Sequence, residues 1–342
     1  MHAPKMTDLD YINFLVAAPH VVSCTEAARV QPEEPRRAAH DAVNRLLQRL
    51  EPATTPLWQE AELLVDRTRG LLVIDDTTLD KPYARKIALV HRHWSGKQHR
   101  IVVGITLVTV VWSDDPHAVP CDYRLFDAPN DGDTKNDHCR AMRKTAQQRG
   151  FTPRYVGFDG WYSALENLKL IRTLGWQWLT RLQHHRLVNP DGRGNRPLAA
   201  CDMRNAGTRV HRKGDGVILV FRIDPPDGDT DYGATSDALM TLAERTTTAR
   251  QIWTIETYHR DLKQFCGIAG CAVRSERAQR NQIGWALRTY LRLIWHEMET
   301  GHSRFATTLA IIRPAVQQFL TDPSAVVCGF PQAGMAHKRA TA

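Results

Sequence analysis

No apolar run in the chain approaches the ~20 residues that a membrane-spanning helix needs. The longest, Ile101 to Trp112, is strand-length and rich in β-branched residues. A membrane partner is therefore not expected. Asp8 and Asp10 stand just before the first apolar stretch and no small-residue cleavage site follows, so the chain reads as one without a secretory leader. Cysteine is sparse: seven residues, scattered and odd in number, which fits reduced thiols in a cytosolic protein better than a disulfide framework. No GxGxxG or Walker A sequence occurs, so nucleotide hydrolysis has no support. Asp131-x-Asp133-x-Lys135 and Asp227-x-Asp229-x-Asp231 begin like calcium loops but lack the glycine and the closing acid. Cys266-x4-Cys271 has no second pair at zinc-finger spacing. There is no internal repeat and no low-complexity tract.

What is present is ordinary in bulk: 342 residues, 42% hydrophobic and 24% charged. That is enough apolar surface for a folded core and about two domains. The charge is less ordinary. Lys and Arg total 45 against 37 acids, a net +8, and 15 histidines can add to it. A basic surface of this kind suits a polyanion or serves solubility alone.

The first ~65 residues read as helical. Thr7 and Thr25 are candidate caps, and a third helix is expected from about Arg36 to Leu50 with Val43, Leu46, Leu47 and Leu50 on one face. Its other faces carry Asn44, Arg45, Gln48 and Arg49, which suits either a helix that reads DNA or a plain helical cap. From residue 70 the pattern becomes strand-like. Strands are expected after Gly70, at Arg85–His93, Arg100–Trp112, Val119–Phe126, Arg154–Phe158 and Trp176–Leu182, with helices at Asn136–Gln148 and Ser163–Thr173. This order makes an α/β sheet. Residues 187–236 are rich in Gly, Pro, Asn and Asp with short strands, and read as a β insertion outside the sheet. Helices return at Ala249–Phe265 and Ala278–Thr300.

Two apolar strands end in acids: Leu71-Leu-Val-Ile-Asp75-Asp76 and Tyr155-Val-Gly-Phe-Asp159. If the strands are neighbours, the carboxylates meet at one sheet edge, where they repel unless a cation lies between them. Hard oxygen ligands suit Mg²⁺ or Mn²⁺. Each acid taken singly is also a good turn cap. Glu256, Arg260 and Lys263 then share one face of a helix, either as a carboxylate beside phosphate-binding cations or as a solvated ion pair.

The ordered set Asp76 in IDDT, Asp159 in FDGWYS, Trp178-Leu-Thr-Arg-Leu, Ala234-Thr-Ser-Asp and Glu256-x6-Lys263 resembles the DDE transposases of bacterial insertion sequences, in the branch with a β insertion between the second Asp and the Glu. The resemblance spans roughly residues 7–320. It implies an RNase H-like mixed sheet flanked by helices, a β-rich insertion and an N-terminal helical domain. The corresponding boundaries are a DNA-binding segment at 1–65, core at 66–186, insertion at 187–240, core again at 241–300, and a helical tail at 301–342. It implies that Asp76, Asp159 and Glu256 are catalytic and hold two Mg²⁺ or Mn²⁺ ions. Asp75 is the alternative first ligand; Asp76 is preferred because it directly precedes Thr77. The family signature places Tyr and Arg where this chain has Ala249 and Ile252. The implied activity is DNA strand cleavage at element ends and 3′-OH strand transfer. The implied partners are double-stranded DNA and a second copy of the chain in the synaptic complex, in a cytoplasmic, nucleoid-associated setting. Residues 81–100 hold six Lys/Arg and three His with no acid, a plausible DNA track. Expected DNA contacts are Arg85, Lys86, Arg92, Lys97 and Arg100, with Arg260 and Lys263 beside the site and Arg45 and Arg49 on the third helix. Arg274, Arg277, Arg280, Arg288 and Arg292 form a second basic set. His91, His93 and His99 read as a DNA-facing or solvated edge rather than a zinc site.

Overall fold

A computed structural model describes residues 5–18, 20, 22–32, 38–96, 99–225 and 228–321. Lys97, Arg36, Asp227 and Cys328 lie outside the described residues.

The chain opens with four short helices: α1 (Asp8–Ala17), α2 (Cys24–Arg29), α3 (His40–Arg49) and α4 (Thr55–Ala61). Thr7 caps α1 in a reciprocal box with Asp10, and Ser23, rather than Thr25, caps α2. On α3 the stripe Val43, Leu46 and Leu47 is buried, as its spacing requires.

Next come β1 (Leu71–Asp80), β2 (His91–Ser95), β3 (Arg100–Ser113), β4 (Ala118–Phe126), α5 (Lys135–Gln148), β5 (Tyr155–Phe158), α6 (Leu165–Thr173) and β6 (Gln177–Leu182). The small ribbon β7 (Leu187–Val188) and β8 (Arg196–Pro197) follows, then β9 (Thr208–Arg212), β10 (Gly216–Ile223) and β11 (Asp231–Thr235). Helices α7 (Leu242–Ile252), α8 (Thr254–Phe265), α9 (Glu276–Thr300) and α10 (Arg304–Thr321) close the described chain. Among the described residues, nine strands form one sheet in the order β2-β3-β1-β5-β6-β11-β10-β9, with β4 also on β3. β1, β3 and β4 are antiparallel neighbours, and β5 and β6 run parallel to β1. This is the expected mixed sheet flanked by helices.

Four further expectations need correction. The acids of β1 lie within the strand, not at its end. β3 is 14 residues long and pairs β1 as far as Asp80↔Gly104, whereas β5 pairs it only as far as Ile74↔Phe158. β1 therefore runs on past β5 with one side open, and Asp75 and Asp76 begin that open stretch. The segment 187–236 is β-rich, but β9, β10 and β11 are not outside the sheet. β11 pairs antiparallel with β6, and β10 and β9 follow, so the sheet continues through them. Only the β7–β8 ribbon is separate. The helix expected at Ala249–Phe265 is two helices that meet at Trp253. Thr241 and Glu244 form a capping box that starts α7 earlier, and the Thr254 hydroxyl bonds the Gln251 carbonyl and Ser113 at the junction. The strand expected at Arg85–His93 starts only at His91.

Gly157 on β5 explains how tightly α7 packs on the sheet. A Cβ there would fall 2.3 Å from Ile252 Cγ1, so the missing side chain makes room for Ile252. Gly157→Ala should cost about 1–3 kcal/mol through overpacking. Shortening Ile252 to Ala in the same chain should restore part of that loss, which a double-mutant denaturation series would measure.

Residues up to Trp295 form one compact unit, and those from His296 a second. The N-terminal helices pack within the first unit against α9, whose residues from Ala278 to Ile294 are almost all buried. Asn281 donates to the carbonyls of Leu47 and Leu50, at the C-terminal end of α3. The side chain of Arg288, nearly buried, bonds Asp8 and Glu60, and Arg292 bonds Glu60 as well. Arg280 pairs with Glu276, and Arg277 with Glu51. Within the second basic set Arg288 and Arg292 are thus internal ties, because guanidiniums at a packed interface need anionic partners, whereas Arg274 and Arg277 are exposed. Burial alone would raise the pKa of Glu60, but hydrogen bonds from Arg292 and Arg288 outweigh it and hold the carboxyl below the usual range. A depressed carboxyl pKa stabilises the fold fully above the unfolded value of about 4.3 and loses that stabilisation as pH falls through the folded value. Glu60→Gln should therefore cost about 1–3 kcal/mol at neutral pH. The gap to wild type should close near pH ~3 in urea titrations; a gap that stays constant with pH would contradict the assignment.

Candidate active site

The open stretch of β1 and the end of β5 bring the acids together. Asp159 follows β5 directly and caps the short 3₁₀ turn Gly160–Tyr162. Its Oδ1 accepts from the backbone N–H of Trp161 at 3.0 Å and of Tyr162 at 3.4 Å. The Tyr162 side chain is buried and donates its hydroxyl to Asp76 Oδ1 at 2.6 Å. One residue thus ties both aspartates, through its backbone to Asp159 and its side chain to Asp76. Lys135, the first residue of α5, places Nζ 3.1 Å from each oxygen of Asp76 and 5.0 Å from the ring centre of Trp161.

Side chains alternate along a strand. Asp76 and Thr78 turn to the α5 side, where Thr78 shares a hydrogen bond with His93. Asp75 and Thr77 turn to α8. Lys263 donates to the Thr77 hydroxyl at 2.9 Å, and Asp75 lies 3.9 Å from His259 Nδ1. His259 is buried and shares a hydrogen bond with Thr109, the cross-strand partner of Asp75. Glu256 is half-buried in the first turn of α8.

The electrostatics match this crowding. Burial pushes the Asp75 carboxyl well above the ordinary range, and the charges of Asp159, Asp76 and Glu256 add to it. Asp159 is also raised, by the surrounding protein first and by Asp76 next, although its side chain keeps access to solvent. A set of carboxylate oxygens that repel one another is the donor chemistry that Mg²⁺ or Mn²⁺ takes. Among the described residues, no three His, Cys, Asp or Glu side chains stand in an arrangement ready to hold an ion.

The structure therefore links Asp76 to Asp159 through Tyr162 and connects Glu256 to them through its charge on Asp75. Asp75, held as an alternative, is at the centre of the acid cluster. Lys135, Tyr162 and His259 were not anticipated; the Tyr162 signal lay in the FDGWYS run itself. Ile252, at the signature's Arg position, is an apolar packing residue over Gly157. Arg260 is exposed on α8.

On the expected DNA track, Arg85, Lys86, Arg92 and Arg100 are exposed, as are Tyr83 and Trp94. His91 and His93 are half-buried with their rings 4.8 Å apart and bond Thr106 and Thr78, so they are not a solvated edge. On α3, Arg49 is exposed, Arg45 pairs with Asp41 and Gln48 with Ser275. Among the described residues, no helix is long and apolar enough to cross a membrane.

Comparison with known proteins identifies the family. The family model described as DDE superfamily endonuclease matches residues 9–215, which include Asp76 and Asp159. No functionally curated protein matches the sequence significantly. Among solved structures, a piggyBac transposase synaptic complex with hairpin DNA is similar with a TM-score of 0.50 at 11% identity, covering 96% of this chain and 73% of that one. A Drosophila P element transposase strand transfer complex aligns over 94% of this chain and 87% of that one, at 8% identity and a TM-score of 0.29. The first of these shows a shared fold. With the family model covering more than half of its length, the chain belongs to the DDE superfamily of endonucleases.

Proposed function

We propose that the chain is an insertion-sequence transposase that cuts DNA at the ends of its element and joins the freed 3′ ends to target DNA. The observation that carries this reading is the Tyr162 link between Asp76 and Asp159, at the open edge of β1 in a DDE endonuclease. We assign Asp76, Asp159 and Glu256 as the catalytic, metal-holding carboxylates, with Asp75 beside them. Two Mg²⁺ or Mn²⁺ ions held there would supply a polarised water and charge stabilisation for the departing 3′ oxygen. The chain's own residues supply position and charge. In the first reaction a water oxygen bonds to phosphorus while the bond to the 3′ oxygen breaks. In the second, the freed 3′-OH attacks a target phosphodiester in the same way. Lys263 and Arg260 lie along α8 to receive phosphate, and Arg85, Lys86, Arg92 and Arg100 extend a track for duplex DNA; Lys97 is assigned to it from the sequence alone. Arg45 and Arg49 on α3 are the remaining assigned contacts. Two copies of the chain would pair the two element ends.

Asp159→Ala or Glu256→Ala should abolish Mg²⁺-dependent nicking of element ends. Binding should stay within several-fold of wild type in a gel shift, because neither change removes a basic contact. Nicking retained by either variant removes that residue from the catalytic set.

Duplex binding should also depend steeply on salt. Each phosphate neutralised contributes about −0.9 to the slope of log K against log salt. Converting Arg85, Lys86 and Arg92 to Ala should flatten that slope by roughly 2–3 units and weaken all sequences alike. An unchanged slope would mean the DNA path lies elsewhere.

A further inference from the structure

Lys135 has no place in the family signature or in the reaction as assigned, yet among the described residues it makes the ion pair to Asp76. Its ammonium sits equally close to both carboxylate oxygens, 3.1 Å from each, where a chelated cation would sit. Tyr162 occupies a further acceptor position on Oδ1. The backbone of Lys135 is anchored at the start of α5. Thr134 and Asp137 form a capping box there, and Arg140 also bonds Asp137. The side chain is long and flexible, and it lies against the exposed ring of Trp161 at the mouth of the site. A fixed root with a mobile charged tip can fill the carboxylate and then leave it without any change in the fold.

We propose that Lys135 is a tethered counter-ion: it holds the Asp76 carboxylate in the metal-free enzyme and must be displaced when a divalent cation enters, so that it sets the metal affinity of the site. The inference rests on the reading of Asp76 as a metal ligand. Two positive charges cannot share one carboxylate face without repulsion, so occupancy by one weakens the other. An ordinary structural ion pair makes the opposite prediction. Its loss would loosen Asp76 and weaken metal binding.

The test is Mn²⁺ binding to the full-length protein without DNA, by calorimetry and by the loss of the free-ion paramagnetic resonance signal. Lys135→Gln should bind Mn²⁺ about 5- to 100-fold more tightly than wild type, while its melting temperature without metal falls. Lys135→Arg keeps the cation and should bind no more tightly than wild type. Equal or weaker binding by Lys135→Gln overturns the proposal. Should that variant not fold, Lys135→Arg decides: tighter binding than wild type overturns the counter-ion role, and equal or weaker binding supports it. Asp159→Asn separates this inference from its foundation. Wild-type Mn²⁺ binding that is absent, or that Asp159→Asn leaves unchanged, removes the metal-site reading itself. Binding lost in Asp159→Asn but not raised in Lys135→Gln removes only the counter-ion role.

Discussion

Like charges crowded at one sheet edge are the constraint on which the rest of this site depends. Asp75, Asp76 and Asp159 meet where β5 stops and β1 continues, and the charge of Glu256 reaches Asp75 from α8. Carboxylates so placed oppose folding unless their charge is answered. The chain answers it differently at each acid. Asp76 has an ammonium and a phenol. Asp159 has two backbone N–H groups of a 3₁₀ turn. Asp75 has the nearby imidazole of His259, 3.9 Å away. The burial of Asp75, and then the charges of Asp159 and Asp76, push its carboxyl well above the ordinary range. Such a cluster is a poor structural device, and a divalent cation would lower the energy of all the acids at once, which is the chemistry of the proposed function.

The geometry that creates the cluster is a mismatch of strand lengths. β3 supports β1 over ten residues, and β5 supports it over four. Beyond Ile74, β1 keeps its hydrogen bonds on one side only. That leaves room beside Asp75 and Asp76 for the Asp159 turn, for Lys135 from one side and for α8 from the other. Extending the sheet through β11, β10 and β9 puts new strands past β6, two strands away from this notch. The sheet can therefore grow without closing the site.

Much of this was legible in the residues. Apolar runs ending in acids, Val-Ile-Asp75-Asp76 and Gly-Phe-Asp159, pointed to a shared edge on the condition that their strands are neighbours, which they are. The i, i+4, i+7 set on α8 indicated a helix facing it. Register was not legible. Nothing local shows that β1 continues through Thr77 and Thr78, because that stretch owes its strand form to β3. The same holds for β9 to β11, whose Gly- and Asp-rich turns resemble an excursion and whose place in the sheet is set by pairing to β6. The arginines of α9 misled for a related reason. Charge counts cannot tell a solvated face from a buried tie, and Arg288 is distinguished only by Asp8 and Glu60, more than 200 residues away in sequence.

Ala249 and Ile252, where the family signature has Tyr and Arg, follow from the packing of α7. Gly157 lacks a side chain at the point where Ile252 comes down on β5, and the two positions fit as a pair. An arginine at 252 would have to push its guanidinium out of an apolar contact between a helix and a central strand, at the cost of desolvating charge or opening the packing. Arg250, nearby on α7, is turned to Asp115 on the β3–β4 connection. The cations left along this side of the site are on α8, where Lys263 reaches Thr77 beside the acids. On the opposite side Lys135 holds Asp76. The positive charge that position 252 does not carry is thus found on both sides of the acids, each ammonium on a long stem rooted in a helix. That arrangement lets the charge next to the carboxylates change with what occupies them, while the sheet and helices stay fixed.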